Sequence, residues 1–206
     1  MLIVFGYSES VKQYQTEYED LKVARPKSCP QCQADEQMIG HGSYRRKVRD
    51  RAAVYWIRVR RWLCKACKRT ISALPDLVLL YRWYITGVVQ EILTLRYGEE
   101  MSWREIEEQI EDAPHLRTMQ RWCRAFEAMA VTWLAWIARV LAEQDSRSVW
   151  LEQGGGDRSG ERLLSGAMHL LEWARGRWRE LQEYGLTDWL RFLWVWGWEQ
   201  GLGRPV

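Results

Sequence analysis

The chain has 206 residues, 47% of them hydrophobic, with 14 tryptophans and five cysteines, enough to bury a real core in one large domain or in two to three small ones. Its net charge is only +3, so no strong field follows from the total alone. Met1–Phe5 is too short an apolar run for a signal peptide and Ala128–Ala138 falls short of the roughly 20 residues of a membrane span, so the chain is expected to stay inside the cell without a transmembrane helix, and its five cysteines are not expected to form a disulfide framework.

In chain order, residues 1–28 read as an N-terminal brace: a strand at Leu2–Phe5, then an amphipathic helix near Ser10–Leu21 with Val11, Tyr14, Tyr18 and Leu21 on one face. Residues 29–75 change to a strand pattern, Met38–Val48 and Val54–Leu63 flanking a polar turn at Arg49–Ala53, which predicts a β-hairpin. Along the second strand Ile57, Val59 and Leu63 are expected on the apolar face and Trp56, Arg58, Arg60 and Trp62 on the other. The charge concentrates here: residues 41–70 hold eleven cations against the single acid Asp50, a local excess that attracts phosphate.

Residues 76–127 follow the Leu74-Pro75 break as helices. The first covers Thr86–Tyr97 and stops at Gly98. Ser102-Trp103-Arg104-Glu105 has the spacing of a capping box, and Trp103, Ile106 and Ile110 form the buried stripe behind it. A turn over about Glu111–His115, stiffened by Pro114, leads to a helix opening near Leu116. In residues 128–206 that helix continues as a seam of Met119, Trp122, Phe126, Met129, Trp133, Trp136 and Val140. A glycine linker near 153–160 separates it from a second seam, Leu164, Ala167, Leu171, Ala174, Trp178 and Leu181, closed by Gly185. The seams can pair as a hairpin or form a dimer interface. Asp188–Trp198 is apolar nearly all round and must be covered by protein, as core or as a partner surface.

Two knuckles, Cys29-Pro30-Gln31-Cys32 and Cys64-Lys65-Ala66-Cys67, point to a structural zinc ion held by Cys29, Cys32, Cys64 and Cys67 at one end of the hairpin, against the alternatives of redox pairs or unligated thiols. Four cysteines leave no open position, so a catalytic metal is not expected. His41 is expected to orient its strand or touch phosphate, and Cys123 to pack in the core. The hairpin is expected to grip phosphates through Arg45, Arg46, Arg58 and Arg60. The helices Thr86–Tyr97, Trp103–Ile110 and Leu116–Phe126 suggest a helix-turn-helix whose last helix turns Met119, Trp122 and Phe126 inward and Arg117, Thr118, Gln120, Arg121 and Arg124 outward, towards base edges and phosphates.

The runs CPQC, HGSYRRK, RVRRWLCKACKRTISALPDL, SWREIEEQ and MQRWCRAF resemble the zinc-ribbon and helix-turn-helix regions of bacterial transposases, over about Cys29–Phe126. The resemblance implies binding to DNA ends or an operator. It does not extend to the catalytic domain, because about 80 residues follow Phe126 and they read as helix, with Asp145, Glu152, Asp157 and Glu161 on or beside the glycine linker. The sequence thus predicts an α+β, mainly α chain: a zinc ribbon, a helix-turn-helix and a helical C-terminal half. Its expected function is a cytoplasmic, bacterial, non-enzymatic protein that binds double-stranded DNA, with a homodimer or protein partner possible through the C-terminal helices. The alternatives are a zinc-stabilised scaffold and an RNA-binding protein in which Trp56 and Trp62 stack on bases.

Overall fold

The computed structural model of the chain describes residues 2–7, 10–19, 21, 23–51, 53–144 and 159–201. The architecture is mixed α/β, with a four-stranded sheet and six α-helices among the described residues. The chain divides into two compact units, Met1–Ile85 and Thr86–Val206. Residues 153–158 of the linker expected near 153–160, with Asp145, Glu152 and Asp157, lie outside the described residues, while Ser159 and Gly160 at its expected end already belong to a helix.

The first unit holds β1 (Leu2–Phe5), α1 (Val11–Glu17), β2 (Met38–Asp50), β3 (Ala53–Cys64) and β4 (Thr70–Pro75). The sheet runs β1-β4-β3-β2, with β1 parallel to β4 and the other pairs antiparallel. Ser10 caps α1 by accepting the Gln13 N–H at 3.2 Å. The helix is shorter than expected: Leu21 lies past its end, in a last turn where its N–H reaches the Glu17 and Tyr18 carbonyls.

Before Arg60, β3 has no strand partner on the side away from β2 among the described residues. Tyr14 Oη donates to the Arg58 carbonyl at 2.9 Å and Gln15 Nε2 to the Trp56 carbonyl at 3.3 Å, so α1 satisfies an edge that would otherwise be open to another strand.

One alternation differs from the expectation. Ile57 and Val59 are buried as predicted, but Trp62 and Cys64 are buried further along and Leu63 is only half-buried. The buried positions therefore move from one face of β3 to the other. Opposite this switch, the register of β2 shifts by a bulge between Gly40 and Ser43, and β4 begins to pair with β3. Trp62 joins Cys29, Met38, Cys64, Ile71 and Ala73 in one core cluster. The strand β4, unexpected from sequence, supplies Ile71 and Ala73 to that cluster.

The second unit holds α2 (Thr86–Tyr97), α3 (Trp103–Gln109), α4 (Leu116–Gln144), α5 (Ser159–Arg175) and α6 (Trp189–Glu199), with 3-10 turns at Arg179–Glu183 and Leu186–Asp188. The capping box at Ser102 and Glu105 forms in both directions, and the bond from Ser102 lowers the Glu105 pKa. The buried residues of α4 are Met119, Trp122, Cys123, Phe126, Ala130, Trp133, Trp136, Ile137 and Leu141. Of the expected seam, Met119, Trp122, Phe126, Trp133 and Trp136 are buried, whereas Met129 and Val140 are only half-buried beside the covered Ala130 and Leu141. This helix packs against α5 within the chain.

The second seam also ends early. Helix α5 stops at Arg175, before Gly176 rather than near Gly185, and Trp178 lies outside it. There Trp173 and Trp178 meet edge to face at 5.3 Å and Arg177 covers the Trp173 ring at 4.5 Å, contacts that suit a chain turning away from the helix axis. The tryptophan-rich α6 is core at Trp189, Phe192, Leu193 and Trp194. A Cβ at Gly197 would lie 1.9 Å from Trp133 Cη2, so only glycine allows α6 to approach α4 this closely.

By length and composition, Leu116–Glu143 could cross a membrane, with a mean hydropathy of 1.4. A core helix passes the same test, and α4 buries Trp122, Phe126, Trp133 and Ile137 while exposing Arg117, Arg121, Arg124 and Arg139.

Candidate metal centre and nucleic-acid interface

The two cysteine knuckles fold alike. Gln33 N–H bonds to the Cys29 carbonyl at 2.8 Å and Lys68 N–H to the Cys64 carbonyl at 2.9 Å; the return bonds run from Cys29 N–H to Ala34 and from Cys64 N–H to Arg69, both at 3.0 Å. Gln33 and Lys68, each just after the second cysteine, adopt left-handed φ of 58° and 59°. Each knuckle thereby turns the backbone so that its two sulfurs converge. Cys29 and Cys64 are wholly buried on the Trp62 core, while Cys32 is exposed and Cys67 half-buried.

The four Sγ atoms all lie within 4.8 Å of one another, and this is the one such metal-competent group among the described residues. Cys29–Cys67 and Cys32–Cys64 are each 3.8 Å apart. That is far beyond the disulfide length of about 2.0 Å. It matches the edge of a tetrahedron whose metal–thiolate bonds are about 2.3 Å. The donor set thus fits a four-coordinate ion. His41 is exposed and outside the group.

The thiols also influence one another. Burial raises the Cys29 pKa, but N–H groups of Cys32 and Gln31 and the neighbouring thiols outweigh it and bring the group down to about 7. At Cys67 the Arg69 N–H acts downward, yet burial and hydrogen bonds with the other three thiols push the group up to about 11. Gathering four ionisable sulfurs makes successive deprotonation harder, which is the condition a cation relieves.

On the hairpin, directly opposed residues share a face. Arg45 stands opposite Arg58 and Lys47 opposite Trp56. Arg45, Lys47, Trp56 and Arg58 are all exposed. The Arg45 guanidinium lies 5.6 Å from the Trp56 ring centre and Lys47 Nζ 5.5 Å from that of Trp83, while Arg58 pairs with Glu19 and covers Tyr18. Arg60, half-buried, folds over Trp62 at 5.1 Å. Arg46 is placed apart: it shares the opposite face with Ile57, and its guanidinium donates to the Leu79 carbonyl and to that of Arg82 at 2.6 Å. Burial lowers its pKa. The structure therefore brings Arg45, Arg58 and Arg60 together and not Arg46.

In the second unit, the first turns of α4 carry Arg117, Arg121 and Arg124 exposed and Thr118 and Gln120 half-buried, with Met119, Trp122, Cys123 and Phe126 buried behind them. His115 Nδ1 accepts the Arg117 N–H at 3.2 Å and so closes the helix start. Helix α2 packs against both α3 and α4, and Ile110–His115 connects the latter pair.

Sequence reasoning did not single out the contact of Lys47 with Trp83. The cluster Tyr81-Arg82-Trp83-Tyr84 was the available signal, but its position beside β2 depends on contacts distant in sequence. Residues 29–122, from the first knuckle into α4, match a family described as a domain of unknown function, DUF6431. No curated protein matches the chain, and no solved structure does.

Proposed function

We propose that the chain is a zinc-dependent, bacterial DNA-binding protein of the cytoplasm, a transposase-like regulator or mobile-element accessory factor without catalytic activity of its own. Cys29, Cys32, Cys64 and Cys67 would hold one zinc ion as a ribbon-type structural site, which in this donor set supplies folding free energy rather than a reactive position.

The observation that carries the reading is Arg45 directly opposite Arg58, with Lys47 on the same exposed face. Like charges across a strand pair destabilise the ribbon, so their presence supports selection for a polyanion that neutralises them. Arg45, Arg58 and Arg60 would contact phosphates, with Arg58 contributing less because Glu19 already pairs with it. Helices α2, α3 and α4 are read as a helix-turn-helix with a long turn. Its exposed Arg117 and Arg121, with Thr118, Gln120 and Arg124 alongside, suit base edges and phosphates of duplex DNA. The scaffold alternative is less favoured because Trp122, Trp133, Trp189 and Trp194 are consumed by the core.

Selection of bound duplexes from a random pool, at stated salt, tests this. A shared sequence motif that Arg117→Ala or Arg121→Ala relaxes is the expected result. Enrichment of nothing, or equal losses for every sequence, would remove the duplex-reading assignment.

A further inference from the structure

We infer that the outer face of the β2–β3 hairpin is a stacking platform for an unpaired nucleic-acid strand, with Trp83 and Trp56 carrying bases and Lys47 and Arg45 the phosphates between them. The inference rests on the hairpin as the phosphate-gripping element of the preceding reading and specifies the form of strand it holds.

Three neighbouring rows of backbone build the platform. Trp56 on β3 stands directly opposite Lys47 on β2. On the other side of β2, the segment 83–85 adds a short parallel bridge: Arg49 N–H bonds to the Trp83 carbonyl at 2.6 Å and Ile85 N–H to the Arg49 carbonyl at 2.9 Å. The bridge pairs Arg49 with Tyr84, and Lys47, which shares a face with Trp56, reaches past that row to bring its Nζ within 5.5 Å of the Trp83 ring centre. Lys47 thus lies between the two rings, opposite one and within reach of the other, and Arg45 stands 5.6 Å from the Trp56 ring centre.

Both rings are open. Trp83 is 62% exposed and Trp56 48%, a large apolar area to leave in water beside cations. A second feature adjoins them: Tyr81, 82% exposed, is held at a left-handed φ of 59°, a conformation a bulky residue rarely adopts. Tyr81, Trp83, Tyr44 and Lys47 line one groove of about 490 Å³. Strain that displays an aromatic side chain, next to a cation already within reach of a ring, fits recognition of planar anionic groups.

The occupant follows from the chemistry. Indole and phenol faces stack on bases only when those bases are not already stacked in a duplex, whereas the cations attract any phosphate backbone. An acidic peptide would use the cations and leave both indoles without a planar partner. DNA and RNA single strands share the required chemistry and differ at the 2′-hydroxyl.

The test measures fluorescence anisotropy of the full zinc-loaded chain with labelled oligothymidylate, oligouridylate and a mixed-sequence duplex. Substituting Trp56→Leu and Trp83→Leu should each weaken single-strand binding by about 5- to 150-fold. Lys47→Gln should reduce the logarithmic salt slope by about 0.7. The exposed rings lie outside the core, and unchanged zinc content and melting temperature in each variant confirm the fold. Loss on either sugar supports the platform, and a preference between the sugars identifies the source of strand. Single-strand affinity unmoved by both tryptophan substitutions would overturn it. So would tryptophan substitutions that weaken duplex and single strand alike. Arg117→Ala keeps the two readings separate: it should relax the motif selected from the random duplex pool and leave oligothymidylate binding intact, so a lost platform and a lost duplex reader give different results.

Discussion

Arg45 and Arg58 oppose each other across β2 and β3, and among the described residues a carboxylate, that of Glu19, is seen paired with Arg58. Replacing Arg45 by Thr removes a like-charge contact and introduces a residue that suits strands, so stability in thermal or urea unfolding should rise by about 0.2–1 kcal/mol. The same substitution should weaken all nucleic-acid sequences alike and lower the duplex salt slope by about 0.9, measured by titration at several salt concentrations. A variant both less stable and still fully active would contradict the role given to this face. At Arg117 and Arg121 the expectation differs: alanine should remove about 1–3 kcal/mol of discrimination at one base position each and leave binding to other sequences little changed. The cysteines were legible at this scale because a CxxC spacing is a local constraint. Trp62 was not, since its burial depends on the bulge at Gly40–Ser43 and on a strand, β4, that pairs with it.

Among the elements, α4 combines an exposed basic start with a buried stripe that includes Cys123. Burial pushes the Cys123 thiol up to about 11, against an ordinary value of 9.0. Above pH 9 the unfolded chain releases this proton while the folded one keeps it, so the folded state binds more protons and stability falls as pH rises towards 11. The contribution at stake is about 3 kcal/mol for this one group. Cys123→Ala should flatten the decline of stability between pH 9 and 11, as read by unfolding at each pH; an unchanged slope would remove Cys123 from the account. Helix α6 is docked by a buried amide: Gln90 Oε1 accepts the Leu190 N–H at 2.8 Å and its Nε2 donates to the Thr187 carbonyl. Gln90→Leu leaves that N–H and carbonyl without this partner and should destabilise the chain by about 1–3 kcal/mol in chemical denaturation. Periodicity revealed α2, α3 and the start of α4, where apolar spacing and caps agree. It misjudged the end of α5, because Trp178 keeps heptad spacing after the backbone has left the helix at Arg175.

Over the whole molecule, two kinds of order coexist. The unit Thr86–Val206 is organised by helix burial, with tryptophan packed as close as Trp133 against Gly197. The unit Met1–Ile85 has one apolar cluster around Trp62, which includes two of the four gathered thiols, besides buried residues such as Tyr14, Ile57, Val59 and Leu79. A metal held by these thiols would stabilise the unit, since binding to a site absent in the unfolded chain is itself folding free energy. The proposed function therefore depends on the ion holding the two knuckles together beneath the arginine-bearing hairpin. The most direct measurement is metal content by mass spectrometry on the purified chain, paired with nucleic-acid affinity before and after chelation. The account predicts one tightly held zinc ion per chain and loss of hairpin-dependent binding when it is withdrawn or when Cys64 is replaced by Ser. Protein that holds no zinc yet binds nucleic acid with undiminished affinity would contradict it.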